Sequence, residues 1–424
     1  MSFKSYDVVV IGSGPGGLAA AIAAKKQGAV KVLIIERDLE LGGILLQCIH
    51  NGFGVEIFKE DLPGPSYAQR FINEILSLKV DTLLDTMVLD ITPGHKIFAT
   101  NKLLGIIEIQ AKAIVLAMGC RERTRAQVHL PGSRPAGVYS AGTAQRWVNV
   151  EGYMPGNRFV VLGSGDIGMI MARRLTFEGA KVERVLEIMP YLSGLMRNYV
   201  QCLLDYDVPL QLQHTVNRII GNSRVEAIEA VQVDEKWKPI PGTEEIIPCD
   251  TLLLSVGLIP ENELSRKAGV LIDPLTGGPY VDNEFQTNIE GIFSAGNVVH
   301  VYDLVDWVTE AGFTAGKSAA IYAQGTFPAQ REMVSMKPGS NIRYVVPQKI
   351  DKNGVAQEEL RLQMRVSTPI EKPVWVEISD GKNLITRRGQ PYARPGEMVT
   401  ISLKPSQYNT IQQAQELFVN ISPR

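Results

Sequence analysis

Two glycine-rich turns, each closing an apolar strand and opening a segment of helical periodicity, predict an α/β chain. A C-terminal series of short segments with period-two alternation predicts an all-β end. Together they predict two Rossmann-like three-layer dinucleotide-binding domains followed by a small C-terminal β-sandwich. The turns are Gly12-Ser13-Gly14-Pro15-Gly16-Gly17 and Gly163-Ser164-Gly165-Asp166-Ile167-Gly168. One such turn is a weak signal. Here each follows a strand, Tyr6 to Ile11 or Arg158 to Leu162, and each precedes an acid at the end of the next strand. That is the context a dinucleotide fingerprint requires. Two of them imply two dinucleotides and electron traffic between them.

The first fingerprint has a physical reason at each position. Val8 to Ile11 is all apolar, as a central parallel strand should be. Gly12 allows the tight turn, Gly14 lets the backbone approach a pyrophosphate, and Gly17 lets the next helix pack close. That helix, Leu18 to Gln27, stops at Gly28, and its N-terminal amides suit a diphosphate. The strand Lys31 to Ile35 delivers Glu36, placed to accept from a ribose. In the second fingerprint the strand is Phe159 to Leu162 and the helix is Asp166 to Glu178. The strand Val182 to Ile188 carries Glu187. Glu187 would repel a 2′-phosphate, and no Arg or Lys follows it until Arg197, so NAD(H) is expected over NADP(H).

Composition narrows the classes. The chain has 424 residues, room for two or three domains, and 45% hydrophobic residues, which fits a globular protein. A net charge of −2 with no basic block argues against nucleic acid as a partner. No apolar run is long enough for a transmembrane helix. The N-terminus runs straight into a strand with no signal-peptide pattern. Cys48, Cys120, Cys202 and Cys249 are scattered, with no CxxC pair to encode a zinc or iron–sulfur site. A reducing cytoplasm is the expected compartment.

After Glu36 the chain runs Gly42-Gly43-Ile44-Leu45-Leu46-Gln47-Cys48-Ile49-His50-Asn51-Gly52-Phe53-Gly54. With the fingerprints, this stretch resembles the two-dinucleotide flavoproteins of the pyridine nucleotide–disulfide oxidoreductase superfamily. Ala113 to Gly119 resembles the strand and turn ending that family's first FAD segment. Thr287 to Asn297 resembles its second FAD motif, and the likeness covers roughly residues 5 to 325. The resemblance implies that the first fingerprint holds FAD and the second NAD(P)H. It assigns FAD contacts to Gly12, Ser13, Gly14, Pro15, Gly16, Gly17, Glu36, Arg37, Gly43, Ile44, Val88, Ala117, Gly119, Gly296 and Asn297. It assigns NAD contacts to Gly163, Gly165, Asp166, Ile167, Gly168, Glu187 and Gly257. Asn297 replaces the family's usual Asp on the ribityl chain and keeps an acceptor oxygen. Asp303 is expected to cap a helix running toward Gln324, whose N-terminus the family sets under the flavin pyrimidine. Leu258 departs from the Arg that many relatives carry after the glycine at 257.

The resemblance also sharpens what is missing. Disulfide reductases carry Cys-x4-Cys after the Gly-Gly pair, whereas here Cys48 is answered by Phe53. No dithiol can form there. A lone cysteine does serve in the NADH peroxidase and coenzyme A–disulfide reductase branches. Cys48, with His50 beside it, is therefore a catalytic candidate that would need a depressed pKa. The opposing reading makes Cys48 a small packing residue and His50 a flavin neighbour. His95, His129, His214 and His300 have no ligand spacing and are read as structural, and Cys120 as a buried turn residue.

The expected organisation is an FAD domain in two segments, 1–120 and 256–328, with an NAD domain at 121–255 between them. A linker at Phe327 to Arg331 leads to a β-sandwich at 335–424. Its strands are expected at Arg343 to Val346, Leu360 to Val366, Val374 to Ile378, Met398 to Leu403 and Leu417 to Ile421. Turns are expected at Asp351 to Gly354, Ser379 to Gly381, Arg388-Gly389 and Pro395-Gly396. The sandwich shows no catalytic constellation, so docking, assembly or capping is its expected role. The 42–54 string and Leu304 to Val308 narrow the likeness to a subfamily associated with anaerobic glycerol-3-phosphate dehydrogenase-like subunits and with sarcosine and proline dehydrogenase α-like subunits. That implies a partner dehydrogenase or iron–sulfur subunit, in a homodimer or hetero-oligomer. Three functions stay open. One is an FAD-dependent NADH oxidoreductase exchanging electrons with a partner protein or small acceptor. Another is a single-cysteine NADH oxidase, peroxidase or coenzyme A–disulfide reductase using Cys48. The last is a flavoprotein assembly subunit with a vestigial NAD site.

Overall fold

The computed structural model describes residues 4–355 and 359–424. Residues 1–3, on which part of the signal-peptide expectation falls, lie outside the described residues. The chain divides into two compact units, residues 1–120 with 260–424, and residues 121–259.

In the first unit a parallel sheet runs in the order Asp81–Leu83, Val32–Ile35, Lys4–Ile11, Gly105–Leu116, Ile292–Ser294. Gly105–Leu116 serves two ladders. Its second half pairs parallel with Lys4–Ile11, and its first half pairs antiparallel with Lys96–Asn101, which in turn pairs with Thr86–Ile91. Strand alternation splits the apolar run of the first strand between two cores. Val8 and Val10 pack with Leu18 and Ile22 of the fingerprint helix, while Val9 and Ile11 pack with Val88, Ile97 and Ile109 on the other face. Both faces are covered, which is why this strand carries no polar side chain between Val8 and Ile11.

The fingerprint helix Pro15–Lys26 packs backbone to backbone against Val305–Ala323. Small residues make this possible. A Cβ on Gly312 would lie 2.3 Å from the Gly16 carbonyl oxygen, and one on Gly316 would lie 2.0 Å from that of Ala20.

The second unit repeats the plan. Its parallel sheet runs Leu210–Leu212, Lys181–Glu187, Arg158–Leu162, Thr251–Leu254, Val138–Ser140. An antiparallel sheet of His214–Gly221, Val225–Gln232 and Glu245–Pro248 accompanies it. Phe159 and Val161 face one core, and Val160 and Leu162 the other.

The C-terminal region is β-rich, as the alternation predicts. A five-stranded sheet runs Lys349–Asp351, Met333–Pro338, Glu416–Pro423, Val374–Ser379, Leu384–Gln390, and a three-stranded one runs Ile342–Val346, Leu360–Val366, Val399–Leu403. Val334, Val376 and Leu417 from the first share a core with Leu362, Met364 and Ile401 from the second. Two expected turns are corrected. Asp351 to Gly354 instead leads into the short helix Lys352–Val355. Arg388-Gly389 lies inside Leu384–Gln390, opposite Val376 and Trp375. Gly389 marks a close crossing there, not a bend: a Cβ on it would collide with the Arg424 guanidinium.

The expected linker is irregular but fastened. Arg331 lies between Asp282 at 2.6 Å and Asp351 at 3.2 Å, and stacks 5.1 Å over the Phe327 ring. The β-module therefore belongs to the first unit. Gln348 accepts from the Val281 N–H at 3.0 Å and donates to Asp273 at 3.1 Å, while Val281, Val298 and Val299 pack on Tyr344 and Val346.

His300 is sealed in this seam, its ring 4.1 Å from that of Tyr302 and 5.8 Å from that of Tyr344. Burial, and then the nearby Arg365 charge, push its pKa down to about 3 against the opposing influence of Gln363. The unfolded chain therefore takes up this proton first as pH falls. The contribution of a neutral His300 is complete above pH 6.5 and drains away toward pH 3.

Two outcomes follow from these packings. Gly316→Val should destabilise the chain by at least about 1–3 kcal/mol, an overpacking cost, in urea unfolding followed by circular dichroism. In His300→Asn the slope of stability against pH between those limits should flatten by up to about 1.4 kcal/mol per pH unit, one proton's worth. Parallel wild-type and variant slopes would refute the placement of that histidine.

Candidate functional site

Each fingerprint is built by the same internal clasp. In the first, the backbone N–H and hydroxyl of Ser13 both donate to one Glu36 oxygen, at 2.7 and 2.6 Å, and the Asp38 N–H donates to the other at 2.9 Å. In the second, the N–H and hydroxyl of Ser164 donate to one Glu187 oxygen at 2.9 and 2.6 Å, and the Met189 N–H donates to the other at 2.9 Å. Serine and acid are 23 residues apart in both cases. The clasp ties the turn to the end of the neighbouring strand and leaves lone pairs on the carboxylate for a ribose.

The first cradle is open where an anion would lie. Gly14 precedes the helix without a side-chain cap, no acid occupies the first turn, and a Cβ on Gly14 would meet nothing within 4 Å. Gly12 turns at φ +100°, and a Cβ there would strike the Ala117 carbonyl oxygen at 2.5 Å. Free amides at an unobstructed helix end fit a dinucleotide diphosphate. The Gly42 N–H donates to the Ser13 hydroxyl at 3.2 Å, bringing Gly43 against Gly14. Arg37 and Ile44 are exposed beside it. The Val88 side chain is spent in the core, leaving only its backbone for a ligand.

Gly119 and Gly296 close the first unit's site at positive φ, with open space at Gly119. Asn297 accepts from the Tyr302 N–H at 3.1 Å and directs its amide to the Cys120 sulfur at 3.6 Å. One lone pair and one N–H of the carboxamide remain for a ligand. The expected capping role of Asp303 is corrected: the N-cap of the following helix is Leu304, with no side-chain bond. The Asp303 carboxylate is taken by Arg365 and by the Met398 N–H, and a charge-assisted pair outweighs a single capping bond. Asp306 in the first turn accepts from the buried Tyr67 hydroxyl at 3.2 Å and from the Glu56 N–H at 3.1 Å.

Cys48 ends a short turn, Gly43–Gln47, and is not on an α-helix. Burial pushes its thiol up to about 12, the reverse of what a nucleophilic thiolate needs. The His50 ring stands 5.1 Å from Phe53, the residue at the position of the absent second cysteine.

In the second unit Gly163 turns at φ +95° and Gly168 donates its N–H to the Ser255 hydroxyl, 3.0 Å away. Ile167 packs into the helix-side core, and Gly257 turns at φ +101°. Asp166 stands in the first helical turn, unlike anything in the first cradle. It accepts from the Leu195 N–H at 2.9 Å and the Asn198 amide at 2.6 Å, while Ser193 donates to Glu187 at 2.7 Å. The residues after the acidic strand are thus pinned across the fingerprint. Ser164 and Ser193 were not among the expected residues. The equal serine–acid spacing was a signal for Ser164, whereas nothing local marks Ser193. Among the described residues no helix is long and apolar enough to cross a membrane.

Two fingerprints on two parallel sheets, each with its acid clasped, define a fold with two dinucleotide-binding units. Residues 6–316 match the family model for pyridine nucleotide-disulphide oxidoreductases, and the chain belongs to that family. Members of that family bind FAD and NAD(P)H. An opine oxidase subunit of Agrobacterium tumefaciens (strain Ach5) is 25% identical over 75% of this chain and 65% of its own length, so the chain spans less than two thirds of that relative. The CoA-dependent NAD(P)H sulfur oxidoreductase of Pyrococcus abyssi (strain GE5 / Orsay) is 25% identical over 74% of this chain and 69% of its own. Among solved structures, thioredoxin reductase of T. acidophilum shares the fold with a TM-score of 0.63 at 20% identity, over 76% of this chain and 99% of the other.

Replacing Glu187 by Ala should narrow any preference for NADH over NADPH at least about tenfold, the worth of one charge-assisted contact. The ratio of the two dissociation constants reads this directly, and an unchanged ratio would remove Glu187 as the selecting residue.

Proposed function

We propose that this chain moves electrons between NADH and a separate protein through FAD, with no cysteine in the path. The observation that carries the reading is the fate of the one cysteine near the Gly-Gly loop. Phe53 stands where a resolving cysteine would be, and burial pushes the Cys48 thiol pKa up, away from the thiolate form. Two-cysteine chemistry needs a resolving thiol, and single-cysteine chemistry needs a thiolate at Cys48.

Ser13, Gly14 and the N-terminal amides of Pro15–Lys26 would hold the FAD diphosphate, Glu36 its ribose, and Asn297 its ribityl chain. The second fingerprint and Glu187 would hold the NADH. Bound FAD supplies hydride acceptance and release, which no side chain here can do. The protein's own part is to orient the two dinucleotides and keep the clasped carboxylates in place. Support for a protein partner comes from relatives named as parts of larger enzymes: the opine oxidase subunit, hydrogen cyanide synthase subunit HcnB and the glutamate synthase small chain.

Anaerobic titration with NADH, NADPH serving as control, should bleach the visible flavin absorbance with NADH preferred. Cys48→Ser should bleach equally well, and neither form should raise a long-wavelength charge-transfer band. Turnover of the wild type on a small disulfide or peroxide that is abolished in Cys48→Ser would restore the single-cysteine enzyme. No bleaching by either nucleotide would leave the second site vestigial.

A further inference from the structure

The β-module reaches the first cradle through one peptide group. Residues 299–304 join the turn Gly296–Val298 to the helix Val305–Ala323, and have no ladder or helix of their own to orient them. Arg365, on the strand Leu360–Val366, crosses to this loop. Its guanidinium pairs with the Asp303 carboxylate and donates to the Val301 carbonyl and to the Pro395 carbonyl, each at 3.3 Å. The other Asp303 oxygen accepts from the Met398 N–H, so the carboxylate is held by the module on both sides. Arg365 and Asp303 side chains are only 16% and 10% exposed, which keeps water from competing.

The Val301 carbonyl and the Tyr302 N–H are the two ends of the same peptide plane. Arg365 grips one end, and the other donates to the Asn297 side-chain oxygen at 3.1 Å. Because that plane is rigid, the direction of its carbonyl sets the direction of its N–H. The N–H in turn decides which end of the Asn297 carboxamide faces it, since only the oxygen can accept. The amide end is thereby committed toward Cys120 and the open side of the site.

We propose that Arg365 is a positioning residue for the flavin cofactor. From the β-module it fixes the 301–302 peptide and, through it, the Asn297 carboxamide that meets the ribityl chain. This rests on the reading that the first cradle holds FAD. It gives the C-terminal module a task at the cofactor, apart from any partner.

The test is a double-mutant cycle on FAD binding to the whole chain, with visible circular dichroism of the bound flavin as second readout. Arg365→Met should raise the FAD dissociation constant about tenfold or more and change the flavin dichroism. On an Asn297→Ala background the same substitution should add little, because the residue it acts through is gone. Arg365→Lys keeps the charge but offers one nitrogen where the guanidinium uses two, one on Asp303 and Val301 and the other on Pro395, so it should reproduce part of the loss while keeping the fold. Thermal unfolding checks that each variant is folded, and Lys337→Gln, in an exposed pair of the same module, should bind FAD as the wild type does. Equal dissociation constants for wild type, Arg365→Met and Arg365→Lys would overturn the proposal, as would effects that simply add to those of Asn297→Ala. A wild-type chain that takes up no FAD at all would instead overturn the reading of the cradle.

Discussion

Everything in both units is arranged so that a helix can begin flush against the end of a strand with no side chain in between. Amides at a helix start attract an anion only if the anion can reach them. That requires a turn whose carbonyls and Cβ positions would otherwise collide, as the 2.5 Å approach at Gly12 and the 2.2 Å approach of a Cβ on Gly163 to the Ser255 carbonyl oxygen demonstrate. Once the turn is this tight the strand before it must be central, and so apolar on both faces. The helix after it must lie close, which calls for alanine and glycine along its contact with Val305–Ala323. The serine–glutamate clasp fastens the turn to the adjacent strand, so the acid that would meet a ribose also serves as a structural pin.

The two cradles differ in what surrounds the pin. The first has an open helix start and no acid in its first turn. In the second, Asp166 and Ser193 bind the following loop down with side-chain bonds. Leu192 in that loop also packs on the core beside the fingerprint helix, so the second cradle is walled by a fastened loop where the first is open.

Most of the dinucleotide architecture was legible because it is local. Glycine, serine and acid lie within one strand–turn–helix–strand unit, and burial on both faces is written directly into the unbroken apolar runs Val8 to Ile11 and Phe159 to Leu162. What escaped reading depends on distant partners. Asp303 has the composition of a cap and the position of one, but Arg365, 62 residues on, takes its carboxylate. Arg388-Gly389 has the composition of a turn, yet it continues a strand that pairs with Val376 and Trp375 and is crossed by the Arg424 side chain. Arg331 looked like part of a loose connector because neither Asp282 nor Asp351 is near it in sequence. The Cys48 thiol could be named as a candidate, but its protonation depends on burial that only the assembled fold reveals.

The division of the chain also bears on the order in which it can assemble. Residues 121–259 form one uninterrupted unit, whereas the first unit is drawn from both sides of it. The fingerprint helix Pro15–Lys26 cannot meet its packing partner Val305–Ala323 until the whole intervening unit has been synthesised. During synthesis residues 121–259 are therefore the first that can close their core, while the strand Lys4–Ile11 waits for the helix Val305–Ala323 that completes its cover.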